Sequence, residues 1–370
     1  MNRQHTILSS RTTALFTLLA GSLLTNACLT PESTSASDTA TDASSGATDP
    51  TAATDPTGPA TAPTGTASDP TVATDTAAET EGTTGGGMEP TTGGIDPTSE
   101  DELLFQKALA LYDAADFAGA DALFVQLWDM YPDSARRDNA GYLHGRCLYA
   151  LLDFAGADTA FAAVVTGYPA SVFIDESQYF WGRSLFRLTT YATALTHFDA
   201  SVAADPAGTY VDNAYYYGGR TKFELGDNAG AEAVLASFES KYPASTYIDN
   251  AYYYLGRARF ALGDHLGAKL ALTHVLDFAD SIYLDNATYY LGRSEYALKA
   301  LPAALAWFKE VVSKYAGGVY EDNALYYEVR IYVDQADCPS ANAVVADLQA
   351  RFAGGAYTVK AQDYAVAGGC

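Results

Sequence analysis

Basic residues are scarce in this chain of 370 residues: 21 Lys and Arg stand against 45 Asp and Glu, a formal net charge of −24. No basic patch is present to meet nucleic acid or an anionic lipid surface, so neither is an expected partner. Histidine is equally sparse. The five, His5, His144, His197, His265 and His274, stand at unrelated positions, and no His or Cys pair has metal-ligand spacing. With no glycine-rich phosphate loop and no nucleophile motif either, no cofactor, metal or catalysis is expected. Only four cysteines occur, Cys28, Cys147, Cys338 and Cys370. The one long apolar run, from Thr12 to Leu24, is too short to span a bilayer as a helix.

That run reads as a targeting segment over residues 1–27, with Arg3, His5 and Arg11 before it and Leu24-Thr25-Asn26-Ala27-Cys28 at its end. The ending resembles the lipobox of bacterial lipoproteins. The resemblance implies acylation of Cys28 and, with Leu29 rather than Asp next, sorting to the outer membrane. Thr25 departs from the usual aliphatic residue, and ordinary secretory cleavage after Ala27 is the competing reading. Any membrane attachment is therefore expected through the lipid alone.

Residues 29–100 lack Lys, Arg and every aromatic residue, and carry twelve acids among Thr, Ala, Ser, Pro and Gly. Such a composition cannot bury enough apolar surface to offset its ordering entropy, so residues 28–100 are expected to form a disordered acidic tether. Its expected span is on the order of 45–50 Å.

From there the chain repeats itself. Asp138, Asp175, Asp212, Asp249, Asp285 and Asp322 begin successive units, at spacings of 37, 37, 37, 36 and 37 residues. A fixed period of this size marks stacked supersecondary units that bury their apolar faces only against each other. In the unit from Asp212, Asp212 or Asn213 is placed to cap a helix that runs to Leu225. Gly226-Asp227 opens a turn, a second helix presents Ala231, Leu235 and Phe238, and Tyr242-Pro243 ends it. A small residue recurs at one position of every second helix: Ala120, Ala157, Ala194, Ala231, Ala268, Ala304 and Ala341.

This pattern resembles the tetratricopeptide repeat. Leu255-Gly256 falls at the family's Leu-Gly pair, Gly263-Asp264 at its inter-helix turn, and Ala268, Leu272 and Val275 at its second-helix packing positions. The resemblance implies an all-α solenoid of seven repeats over residues 101–357, with a capping helix in 358–370. The period exceeds the family's usual 34, the excess lying between Tyr-Pro and the next Asp-Asn. Segments such as Tyr242-Pro243-Ala244-Ser245-Thr246-Tyr247 are similar to two periplasmic branches, the Tol-Pal-associated cell-division coordinators and the BamD-like outer-membrane lipoproteins. They imply a non-enzymatic scaffold that binds envelope proteins or peptides. The alternative is a binding protein capturing peptides or glycan.

Counting from each unit's Asp, positions 2, 5, 9 and 12 of the first helix fall within an arc of roughly 80°. They read Asn139, Tyr142, Arg146, Tyr149; Glu176, Tyr179, Arg183, Phe186; Asn213, Tyr216, Arg220, Phe223; and Asn250, Tyr253, Arg257, Phe260. They continue as Asn286, Tyr289, Arg293, Tyr296 and Asn323, Tyr326, Arg330, Val333. The tetratricopeptide resemblance places these positions in a concave, partner-binding groove. Identical residues in every unit equally suit a ladder that locks repeats together, and the sequence leaves both readings open. The opposite face, Ala251, Leu255, Ala258 and Leu262, suits close helix packing. Cys147 takes a small packing position as a buried free thiol, and Cys338 and Cys370 are candidates for a disulfide pinning the C-terminal cap, with two unpaired thiols as the competing reading.

Overall fold

In the computed structural model of the protein, the described residues are 96–370. The targeting segment, Cys28 and nearly all of the expected tether lie outside them. The described residues form sixteen helices and no strand. Repeat 1 pairs α1 (Glu100–Asp113) with α2 (Phe117–Met130), and repeat 2 pairs α3 (Arg137–Ala150) with α4 (Phe154–Gly167). Repeat 3 is α5 (Ile174–Arg187) and α6 (Tyr191–Ala204). Repeat 4 is α7 (Val211–Glu224) with a second helix broken into α8 (Asn228–Leu235) and α9 (Phe238–Lys241). Repeats 5 and 6 are α10 (Ile248–Ala261) with α11 (His265–Val275), and α12 (Leu284–Ala297) with α13 (Leu301–Lys314). Repeat 7 is α14 (Glu321–Asp334) and α15 (Cys338–Arg351), and α16 (Ala356–Ala367) closes the array, two residues earlier than its expected start. Apart from the short α9, which α10 passes over to pack on α8, and the closing α16, which packs more on α14 than on α15, each helix packs chiefly on the one before and the one after it, which makes the array an α-solenoid.

Within a repeat, the two helices approach closely through a glycine. A Cβ on Gly145, Gly182, Gly219, Gly256 or Gly292 would lie 2.6, 2.8, 2.6, 2.5 or 2.7 Å from Phe161, Phe198, Leu235, Leu272 or Phe308. The bare helix surface is what admits that large side chain. The recurrent alanine of every second helix is fully buried beside it.

The turn between helices needs one residue in the left-handed region. Gly226 and Gly263 supply it without cost, at φ 78° and 83°, but other repeats place Leu152, Thr189 or Lys299 there, at φ 65°, 59° and 62°. A β-branched residue is the least suited of these. Thr189→Gly should therefore raise the stability of the array by about 0.5–1 kcal/mol, once the glycine's greater freedom in the unfolded chain is set against the relieved strain. Urea titration checks the sign. The next residue caps the second helix: the carboxylates of Asp116, Asp153, Asp227, Asp264 and Asp337 each accept a backbone N–H three residues on.

The Asp that begins each unit does not cap its helix, contrary to expectation. Helix α7 starts one residue earlier, at Val211, with Tyr210 at the N-cap and no side-chain cap. The carboxylate reaches into the next repeat's loop instead: Ser134 donates to Asp101 at 2.5 Å and Ser171 to Asp138 at 2.6 Å. Leu262 also departs from expectation. Ala251, Leu255 and Ala258 are buried, but Leu262 forms the C-cap and is exposed.

Candidate functional site: the arginine–aromatic ladder

The arginine column runs between repeats. Arg220 lies over Phe186 of repeat 3 at 4.8 Å and over Tyr254 of repeat 5 at 4.9 Å. Arg257 lies between Phe223 and Tyr290 at 4.8 and 5.1 Å, and Arg293 between Phe260 and Tyr327 at 5.0 and 4.9 Å. Arg146 sits between Tyr112 and Phe180, Arg183 between Tyr149 and Tyr217, and Arg330 between Tyr296 and Tyr364. Every guanidinium at position 9 is thus held between a position-12 ring of the preceding unit and a position-6 ring of the following one. Desolvated cation–π contacts of this kind contribute on the order of 2 kcal/mol.

The columns also end together. Repeat 1 has Leu109 at position 9, and repeat 2 then has Leu143, not a ring, at position 6. Helix α16 has Ala367 at position 9, and repeat 7 has Val333 at position 12. A ring is present only where a guanidinium needs one, which ties these residue types to contact between repeats.

A second column completes the joint. The residue two before each Asp from Asp175 onward is Phe173, Tyr210, Tyr247, Tyr283 or Tyr320, and its ring stacks on the position-5 tyrosine of the preceding unit; before Asp138 the place is taken by Arg136, over Phe105 at 5.0 Å. The pairs are Tyr142–Phe173, Tyr179–Tyr210, Tyr216–Tyr247, Tyr253–Tyr283 and Tyr289–Tyr320, at 5.4, 4.8, 4.7, 4.1 and 4.3 Å. Loop serines shape the approach: Ser171, Ser245 and Ser281 each accept the backbone N–H of that aromatic residue through Oγ. The residues by which the period exceeds the usual length thus build a turn that returns a ring to the previous repeat. Hydrogen bonds fasten the stack. Arg146 and Arg183 donate to Tyr142 and Tyr179 at 2.8 and 2.6 Å, and Asn213 and Asn286 donate across the joint to Tyr179 and Tyr253 at 3.2 and 3.1 Å.

This geometry places the expected groove residues in two groups. Tyr142, Tyr149, Tyr179, Phe186, Tyr216, Tyr253, Asn286 and Tyr289 are buried, as are Arg183 and Arg220 with 1% and 2% of their surface exposed. They fill the joints between repeats and do not line an open channel. Asn139, Arg146, Asn213, Phe223, Asn250, Arg257, Phe260, Arg293, Tyr296, Asn323, Tyr326 and Arg330 are half-buried and keep an edge toward solvent. Burial opposes the charge on Arg220 and Arg257, but the surrounding tyrosine hydroxyls outweigh it and hold both well above arginine's ordinary range.

Glu176 stands where repeats 2 and 4 to 7 have Asn. Burial raises its carboxyl to about 8, aided by Asp175 beside it, while Arg146 pulls the other way. The folded state therefore binds a proton more tightly than the unfolded chain, so this group's contribution is fully present below pH 4.5 and is lost as pH rises to about 8. Glu328, raised to about 7 by burial, acts in the same direction. Glu176→Gln should melt like the parent at pH 4 and be more stable by about 1–3 kcal/mol at pH 8.5. Paired melting curves at the two pH values measure it.

Cys147 is buried and free, its thiol pushed up to about 12 by burial. Cys338 and Cys370 form a disulfide with Cα atoms 4.9 Å apart. Among the described residues no group of His, Cys, Asp and Glu could hold a metal ion, and no helix is long and apolar enough to cross a membrane.

Residues 213–245 match the family model described as Tetratricopeptide repeat. The fold is a tetratricopeptide-repeat solenoid. The C-terminal part of a tetratricopeptide-repeat-containing protein from Cytophaga hutchinsonii superposes with a TM-score of 0.56 at 18% identity, covering 70% of this chain and 98% of its own. A tetratricopeptide-repeat protein from Parabacteroides merdae gives 0.48 at 12% identity, over 72% of this chain and 98% of its own. No curated protein has significant sequence similarity to the chain. Tetratricopeptide-repeat arrays generally act as non-catalytic scaffolds that bind protein partners.

Proposed function

We propose that the protein is a non-enzymatic scaffold of the bacterial cell envelope, anchored through a lipid on Cys28 and presenting its solenoid to protein partners at the end of an acidic tether. The observation that carries this reading is the ladder. Cation–π joints between every pair of repeats from 1 to 7 make a stiff array, and a stiff array holds a partner-binding surface in register with little ordering cost. The short apolar segment ending at Cys28 supports the anchor, and the Cys338–Cys370 disulfide suits an oxidising compartment. Similarity to the coordinator and BamD-like branches points to outer-membrane protein assembly or Tol-Pal-linked division as the setting.

Pull-down of the tethered and untethered array from envelope extract tests the role. Recovery of assembly-machine or Tol-Pal components by both forms is expected, and recovery of small ligands alone contradicts it. Mass spectrometry of the mature protein should find an acylated Cys28 at its N-terminus. An unmodified Cys28 overturns the anchor and leaves the scaffold reading intact.

A further inference from the structure

Most recurring residues of the array are spent inside it, but one column is not. The C-cap residue of the first helix is Leu151, Leu188, Leu225, Leu262 and Leu298 in repeats 2 to 6, and these side chains are 46, 40, 46, 46 and 41% exposed. The fold does not require leucine there. What closes the helix is the backbone N–H, which bonds the carbonyl four residues back at 2.9–3.0 Å in all five. Repeats 1 and 7 close the same bond with Ala114 and Gln335. Apolar side chains that recur half-exposed at the same place in five successive repeats mark a contact surface.

The chemistry beside the column selects the occupant. Asp153, Glu224, Asp227 and Asp264 are exposed along the same turn edge. Of the bases beside it, Arg187 lies over Phe154 at 4.5 Å, Lys299 over Tyr296 at 5.7 Å, and Arg259 is paired with Glu232 at 2.9 Å. A second copy would bring acid against acid, and an anionic lipid surface would be repelled. Packed helices lie roughly 10 Å apart, which sets the expected step from one repeat to the next. Seven residues of an α-helix rise about 10.5 Å, so a helix lying along the edge with an apolar residue every seventh position meets one leucine per repeat.

We propose that this turn edge docks a cationic amphipathic helix of a partner protein, its apolar stripe on the leucine column and its Lys or Arg against the flanking acids. The proposal rests on the scaffold reading and names the partner's chemistry. The probe is a synthetic helical peptide of about 29 residues, long enough to pass the five repeats, with leucine along one stripe and lysine elsewhere. Its controls replace leucine by alanine or lysine by glutamate. Binding to the full mature protein is followed by fluorescence anisotropy.

The Leu/Lys peptide should bind, and the triple variant Leu188→Gln, Leu225→Gln, Leu262→Gln should weaken it at least tenfold with the melting temperature unchanged. The single variant Leu225→Gln, should the triple fail to fold, should weaken it about threefold. The Leu/Glu peptide should not bind. Equal affinity for parent and folded variant, or equal binding of the Ala/Lys peptide, overturns the proposal. So does a leucine dependence found in self-association or in partitioning to phosphatidylcholine vesicles in place of peptide binding. In the envelope pull-down, partners recovered equally by parent and triple variant overturn the edge and leave the scaffold standing. Leucine-dependent peptide binding with no partner recovered supports the edge and counts against the scaffold.

Discussion

Replacing Arg220 and Arg257 together by Glu should destabilise the array by about 1–3 kcal/mol at each site and broaden or split its melting transition. Arg220 sits between Phe186 and Tyr254, and Arg257 between Phe223 and Tyr290 while donating to Tyr253 at 3.3 Å. A carboxylate at either place is buried among rings with no partner, and it removes two cation–π contacts at once. Repeats contact only their neighbours, so the loss concentrates at the joints around repeats 4 and 5 and the array opens there first. Calorimetry of parent and double variant measures this. A variant that melts like the parent yet loses its partners would instead place the two arginines in a ligand groove.

Removing the disulfide should have the other large effect, and a local one. Cys338 and Cys370 are separated by 32 residues, and a covalent loop of that length contributes roughly 3–4 kcal/mol by chain entropy. Helix α16 lacks the position-9 arginine that ties the first helices of repeats 2 to 7 forward, so the disulfide stands where a further joint would be. Tyr364, which covers Arg330 and donates to Asp334 at 2.8 Å, rides on that helix. Cys370→Ser should therefore abolish hydrogen-exchange protection over residues 356–367 and lower it in repeat 7, while repeats 1 to 4 stay as protected as in the parent. Uniform loss along the array would contradict the nearest-neighbour picture.

The period, the helix pairs, the alanine column and the turn at Gly226-Asp227 were legible because each is written in local sequence and repeated. The Leu262 side chain was not. Helical periodicity assigned it to the packed face, but it is the C-cap just past the end of α10, where the chain turns away and leaves it exposed. Periodicity likewise gave the arc shared by Tyr253 and Arg257 without saying that the next repeat closes over it. What closes it, Tyr283 and Tyr290, includes a loop residue outside any helical projection. The sequence did carry one unread signal: Leu109 with Leu143, and Ala367 with Val333, end the arginine and ring columns in step. Residues that disappear together across a joint belong to the joint.

The most direct measurement is a thermodynamic cycle across one such joint. Arg183 is 1% exposed, with Tyr217 of the next repeat 4.4 Å from its guanidinium. Arg183→Met, Tyr217→Leu and the double variant should show a coupling of about 1–2 kcal/mol in equilibrium unfolding. Additivity within about 0.3–0.5 kcal/mol would mean that the arginine and the ring do not hold the repeats together.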